Sequence, residues 1–105
     1  MREEKFIIIK KISLEERNGE YKVERAKLIG LMEAIKDLYI YNNEFSKHFV
    51  DILPRVMEIT IDVDRNRELD VPFVIFATLD GEPAMVIPIP RCNKIIWGIF
   101  DELIK

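Results

Sequence analysis

One cysteine, one histidine and a few hydroxyl side chains carry whatever nucleophilic chemistry this sequence can do. Cys92 lies between Arg91 and Lys94, just ahead of an apolar run. Cations and helix N-terminal amides stabilise a thiolate, so Cys92 at the start of a helix is a candidate reactive thiol. A catalytic thiol also needs a base, and the single histidine, His48, falls in a separate predicted helix. A small, partly buried side chain accounts for Cys92 as well. The same turn suggests a different chemistry. Pro88, Pro90, Arg91 and Lys94 lead into a helix N-terminus, where a phosphate or carboxylate can rest. Arg91 and Lys94 are therefore candidate anion ligands. No glycine-rich loop brings the backbone close to a phosphate, so no nucleotide motif is present. Solvated basic residues at a turn would read the same way.

His48 and Asp51 are three apart and can meet on one helix face. Ser46, two residues from His48, would point elsewhere, so these residues do not form a triad. A zinc site needs more nitrogen or sulfur ligands than one histidine and one cysteine supply. Asp62, Asp64, Asn66 and Glu68 alternate as in a calcium loop. However, Arg67 stands where that loop needs glycine, and Phe73 where it needs a bidentate acid. This stretch reads as a charged hairpin loop. The pairs Glu15–Glu16 and Asp101–Glu102 fall on predicted surfaces, and nothing in the pattern raises a carboxyl pKa for acid–base work. No metal and no cofactor is predicted.

The elements that position these groups follow from hydrophobic period. Phe6 to Leu14 is isoleucine-rich and predicts a strand. Asn18–Gly19 predicts a two-residue hairpin turn into a short strand around Tyr21 and Val23. From about Glu24 to Ile40 the period turns helical. Leu28, Leu31, Met32, Ile35, Leu38 and Tyr39 share an arc of roughly 120°. Asn43 is the expected N-cap of a second helix bearing Phe45, Phe49, Ile52 and Leu53 and ending at Pro54. Met57, Ile59, Ile61 and Val63 alternate with polar residues as a half-buried strand. Phe73 to Leu79 is apolar on both sides and predicts a central strand. Asp80–Gly81 predicts a turn into a strand over Ala84 to Ile89, and Pro88 places that strand at an edge. Arg91 to Ile104 closes the chain as a helix. The expected fold is a single α+β domain over 1–105. It has an antiparallel or mixed sheet of about four to five strands with two to three helices, in the order ββααβββα.

The last helix carries more apolar surface than one contact requires. Ile95, Ile96, Trp97, Ile99, Phe100, Leu103 and Ile104 spread over roughly 200° of its circumference, against a little over about 100° for an ordinary surface helix. Trp97, Ile96, Phe100 and Ile104 are the expected interface residues, because exposed apolar surface marks interfaces and tryptophan is a favoured anchor. Burial between the sheet and another helix of the same chain would use the same residues. An interface would most simply make a two-fold homodimer.

Composition sets the limits. The 105 residues are 49% hydrophobic and 33% charged, with a net charge of -3. That is one foldable domain rather than a disordered chain, and the missing basic surplus disfavours nucleic acid. A single cysteine rules out an intramolecular disulfide. The short N-terminal apolar run, preceded by acids, is no signal peptide, and no stretch is long enough to span a membrane. A cytoplasmic location is the expectation. Glutamine is absent and charge is abundant, the composition of heat-adapted proteins. Three classes follow in order: an interaction module that self-associates or joins an assembly, a binder of small anionic ligands, and a cysteine-based or interface-shared enzyme.

Overall fold

A computed structural model describes residues 6–13, 18–63, 71–78 and 83–104, without the side chains of 83 and 84. Five strands are described: β1 (Phe6–Ile12), β2 (Gly19–Glu24), β3 (Val56–Asp62), β4 (Phe73–Thr78) and β5 (Pro83–Pro88). Three helices accompany them: α1 (Ile29–Leu38), α2 (Asn43–Ile52) and α3 (Lys94–Leu103). The α+β class and the order ββααβββα are as the periodicity predicts.

The strands form one mixed sheet in the order β2-β1-β3-β4-β5. β1 pairs antiparallel with β2 and parallel with β3, while β3–β4 and β4–β5 are antiparallel. After the first hairpin, the chain crosses through a 3-10 turn (Arg25–Leu28), α1 and α2 before returning as β3 beside β1. β4 is internal, as its two apolar sides require. β5 is an edge strand, where Pro88 leaves no ladder donor missing inside the sheet.

The helices cover one face. Ile7 and Ile9 of β1, Ile59 and Ile61 of β3, Val74 and Phe76 of β4 and Ile87 of β5 are buried there. They share a core with Leu28, Leu31 and Ile35 of the first helical segment, Phe49 and Ile52 of α2, and Ile96 and Phe100 of α3. The Phe49 ring meets Phe76 edge-on with centroids 5.7 Å apart. Phe45 stacks on Phe49 at 5.6 Å and Tyr39 on Phe45 at 4.2 Å, so an aromatic row runs from the α1–α2 corner into the core. Arg25 pins the crossover: its Nη2 donates to the Val56 carbonyl at 2.7 Å and its Nη1 to the Leu53 carbonyl at 3.4 Å.

Three local expectations are corrected. Asn18–Gly19 does not form a two-residue turn, because β1 ends at Ile12 and β2 begins at Gly19. The Asn18 side chain instead accepts from the Ser13 amide and ties the two strand ends together. The cap of α2 is Asn42, one residue before the predicted Asn43, with its Oδ1 accepting from the Phe45 amide at 3.0 Å. The final helix starts at Lys94 rather than Arg91, because the Asn93 side chain accepts from the Ile96 amide at 3.1 Å and caps it. The Asp80–Gly81 turn, the Glu15–Glu16 pair and all of the calcium-like stretch except Asp62 lie outside the described residues.

Candidate functional site

Strand register divides the side chains between the two faces of the sheet, and the second face has no helix on it among the described residues. Phe6, Ile8, Lys10 and Ile12 of β1 alternate with the buried Ile7 and Ile9 and therefore point to this open side. Pairing carries the face outward through Glu20, Lys22 and Glu24 of β2, and through Glu58, Thr60 and Asp62 of β3. It ends on Phe73 and Ile75 of β4 with Val86 and Pro88 of β5. The face is thus split. Its β2–β1–β3 half is charged, and its β4–β5 half is apolar. Lys10 pairs with Glu58 at 2.8 Å, and the Lys22 ammonium lies 4.5 Å from the centre of the Phe6 ring. Val86 remains 51% exposed at the apolar end.

A second feature lies where the parallel strands β1 and β3 end. A cleft of about 240 Å³ opens there beneath α3. Ile61, Val63, Phe100 and Ile104 form its apolar lining, and Lys11, Arg91 and Asp101 supply the charge. Trp97 also lines it. The indole Nε1 donates to the Pro90 carbonyl at 2.8 Å, and the ring packs on Phe100 with centroids 5.4 Å apart. Arg91 donates from Nη2 to the Val63 carbonyl, which fixes the guanidinium beside the end of β3.

These placements sort the sequence candidates. Ile96 and Phe100, each 1% exposed, lie in the chain's own core, and Ile104 is buried beside them. The 200° arc of α3 is largely consumed within the chain, by the sheet on one side and by α1 on the other. These three residues therefore present little surface of their own to a partner. Trp97 is half-buried over the cleft, and the most exposed apolar residue of α3 is Ile95. Arg91 and Lys94 are not brought together: Arg91 lines the cleft, while Lys94 is exposed outside it. Lys11 takes the place expected of Lys94. Cys92 is an exposed free thiol in the turn ahead of the Asn93 cap, so it is not held by the helix N-terminus.

His48 sits on the outer surface of α2 in a shallow depression with Glu44, Lys47, Val50 and Asp51, and Cys92 is not among its lining residues. Asp51 accepts from Arg55 Nη2 at 3.2 Å, and Ser46 Oγ donates to the Tyr39 carbonyl at 3.4 Å. These bonds tie Ser46 to the end of α1 and Asp51 to Arg55. Among the described residues, no three of His, Cys, Asp and Glu converge as metal ligands, and no helix is long and apolar enough to cross a membrane.

Lys11 and the open face were missed in the sequence. Lys11 follows Lys10 in an alternating strand, so the two lysines point to opposite sides, but nothing in the sequence marks which side holds the cleft. The open face had a signal: β4 is apolar on both sides, and three short helices cover only one layer. Comparison with known proteins finds no matching family model, no matching curated protein and no matching solved structure. Function has to be read from this chain's own geometry.

Proposed function

We propose that the protein is a non-catalytic interaction module that pairs with a second copy of itself through the open face of its sheet. The observation that carries this reading is the split of that face. Exposed Val86 and Pro88 and half-buried Ile75, with Phe73 beside them, form an apolar strip with no helix over it among the described residues, and exposed apolar patches mark interaction surfaces. The choice of a second copy follows from charge. The charged half holds four acids against two lysines, but Lys10 is matched by Glu58, Glu24 is paired with Lys27 and Lys22 rests on the Phe6 ring, so much of that charge is offset within the chain and gives an oppositely charged protein little to select. An uncharged strip is self-complementary, which is what a two-fold contact requires.

Size supports a modest affinity. Five strands about 4.8 Å apart and six to seven residues long make a face of roughly 24 by 20 Å. Two whole faces, the charged half included, would bury about 1,000 Å², near the lower limit for a specific interface, and the β4–β5 strip alone would bury under half of that. The exposed thiol of Cys92 fits a reducing, cytoplasmic setting, and the charge-rich, amide-poor composition fits a heat-adapted source.

Light scattering after size exclusion, over a wide concentration range, tests the reading. A concentration-dependent dimer is expected, and Val86→Lys or Ile75→Lys should return it to a monomer that remains folded. Trp97→Glu should leave the dimer intact. A wild-type monomer at every concentration removes the proposal, and a dimer that dissociates only with Trp97→Glu moves the interface to α3.

A further inference from the structure

We infer that the outer edge of β2 pairs with the β2 edge of a second copy, in the register that sets Glu20 of each strand against Lys22 of the other. This contact is separate from the face-to-face pairing proposed above and does not rest on it. Among the described residues the sheet ends on β2 at one side and on β5 at the other. One hydrogen bond fixes which peptide groups of β2 face outward. The Val63 amide donates to the Ile12 carbonyl, so Ile12, and by alternation Lys10 and Ile8, turn their peptide groups toward β3. Ile7, Ile9 and Lys11 then face β2 and bond with their partners Val23, Tyr21 and Gly19. The intervening Glu20, Lys22 and Glu24 aim their N–H and C=O groups away from β1. Glu24 leads into the 3-10 turn, which leaves Glu20 and Lys22 as the peptide groups a further strand can meet.

The two edges are not equivalent. Ile89 donates to the Pro72 carbonyl toward β4, so its neighbour Pro88 faces outward, where it has no N–H to give. β2 contains no proline, and a strand with open donors and acceptors is a template for another strand. Charge then selects which strand. A two-fold axis through Tyr21 brings Glu20 opposite Lys22 on both sides of the axis, where each pair exchanges both main-chain bonds and opposite charges attract. An axis through Lys22 instead opposes lysine to lysine and Glu20 to Glu24, and like charges facing each other destabilise. An axis through Val23 sets Lys22 against Glu24, but Glu24 already pairs with Lys27 at 3.7 Å, and the overlap runs off the strand into Arg25.

The side chains leave room for the Tyr21 register. Glu20 and Lys22 are exposed. Glu20 stands opposite Lys10, whose bond goes to Glu58, and the Phe6 ring beneath Lys22 is neutral. The Tyr21 ring lies back over Gly19 of its own strand, with its hydroxyl 2.7 Å from where a Cβ there would stand, so the two rings do not collide at the axis. Charged residues on an edge usually guard it against pairing. Here they oppose one register and favour another, and the strand that fits is this same strand. The overlap is short, so the contact is weaker than the face-to-face pairing and is read at higher concentration.

The test is sedimentation equilibrium of protein carrying Val86→Lys, which removes the face-to-face pairing, up to the highest soluble concentration. Reversible dimers are expected there. Adding Lys22→Glu or Glu20→Lys should each weaken dimerisation roughly ten-fold or more, because attractive pairs become repulsive ones. An equimolar mixture of those two variants should associate again, since one strand then offers only acids and the other only lysines at the paired positions. The combined Glu20→Lys, Lys22→Glu variant should also recover, with far-UV circular dichroism confirming the fold throughout. A Val86→Lys protein that stays monomeric at every concentration overturns the inference. So does a dimer that either reversal leaves unchanged, Glu20→Lys being the arm that reads the register, and so does a mixture that stays monomeric. The face-to-face reading fails by a different result: association as strong in Val86→Lys as in the wild type, whatever the edge variants do.

Discussion

The two faces of the sheet are built by the same five strands, yet they meet different surroundings. On the helical side, isoleucine, valine and phenylalanine from all five strands interlock with three helices and are essentially sealed from water. On the open side, Ile8, Phe73 and Ile75 are half-buried, while Phe6, Ile12 and Val86 are exposed. The residue types overlap, so hydrophobicity alone does not decide burial. Chain connectivity decides it, because the crossover and the C-terminal helix both return to the same side.

Truncations on the two faces of β4 give the largest contrast. Phe76→Ala removes a fully buried ring that Phe49 meets edge-on, and it should cost about 3–5 kcal/mol. That is a large part of the roughly 5–15 kcal/mol that holds a domain together. Ile75→Ala, one residue away on the open side, should cost about 1 kcal/mol or less in the monomer, because its methyl groups are already half in water. Urea unfolding at low protein concentration measures both. If the two truncations cost the same, something covers the open face, and repeating the titration at high concentration shows whether a second copy does so.

Arg25 tests the seam between the helical layer and the sheet. Its guanidinium reaches the carbonyls of Leu53 and Val56, where α2 gives way to β3. Hydrogen bonds from charged donors contribute about 1.5–3 kcal/mol each, and partial exposure reduces that, so Arg25→Ala should destabilise by about 1–2 kcal/mol. Arg25→Lys should recover little, since one ammonium does not reproduce a fork spanning two carbonyls. Full stability in Arg25→Lys would mean that charge, rather than the two-carbonyl geometry, holds the seam. Chemical denaturation of both variants decides between these outcomes.

Element order was legible because an isoleucine-rich, β-branched run gives way to a helical period after Glu24 and then to strict alternation from Met57. Local caps were legible to within a residue or three. Asn42 and Asn43 offer the same side chain, and Asn93 follows the arginine first read as the helix start. What sequence could not supply was pairing. The neighbourhood of β1 and β3 depends on residues far apart in the chain, and so does the placing of Lys11 and Arg91 along one cleft. Residue spacing alone sets the width of the apolar arc on α3. The sequence gives that width without saying what covers it, and α1 and the sheet together cover most of it. The apolar strip on β4 was visible as a central strand, but the same pattern serves a strand covered on both sides and one awaiting a second copy.

Alkaline pH probes the two sides by different routes and with the smallest expected effect. On the open face, the hydrogen bond and charge of Glu58 raise the pKa of Lys10 above the usual lysine value. On the helical side, burial raises the pKa of Tyr39, whose hydroxyl donates to the Pro88 carbonyl at 3.3 Å. Both groups hold their proton more tightly when folded, so between the unfolded and folded pKa values the native state binds more protons than the unfolded chain. Stability must then fall as pH rises. The Tyr39 contribution is complete below a pH of about 10 and is lost above it; that of Lys10 follows at slightly higher pH. Melting temperature followed from pH 9 to pH 11 should decline. Tyr39→Phe should flatten the first part of the decline, and Lys10→Met the later part. Because the Lys10–Glu58 pair is partly exposed, salt should screen the Lys10 component while leaving the desolvation of Tyr39 in place. A decline that salt abolishes altogether would trace the alkaline sensitivity to the open face alone.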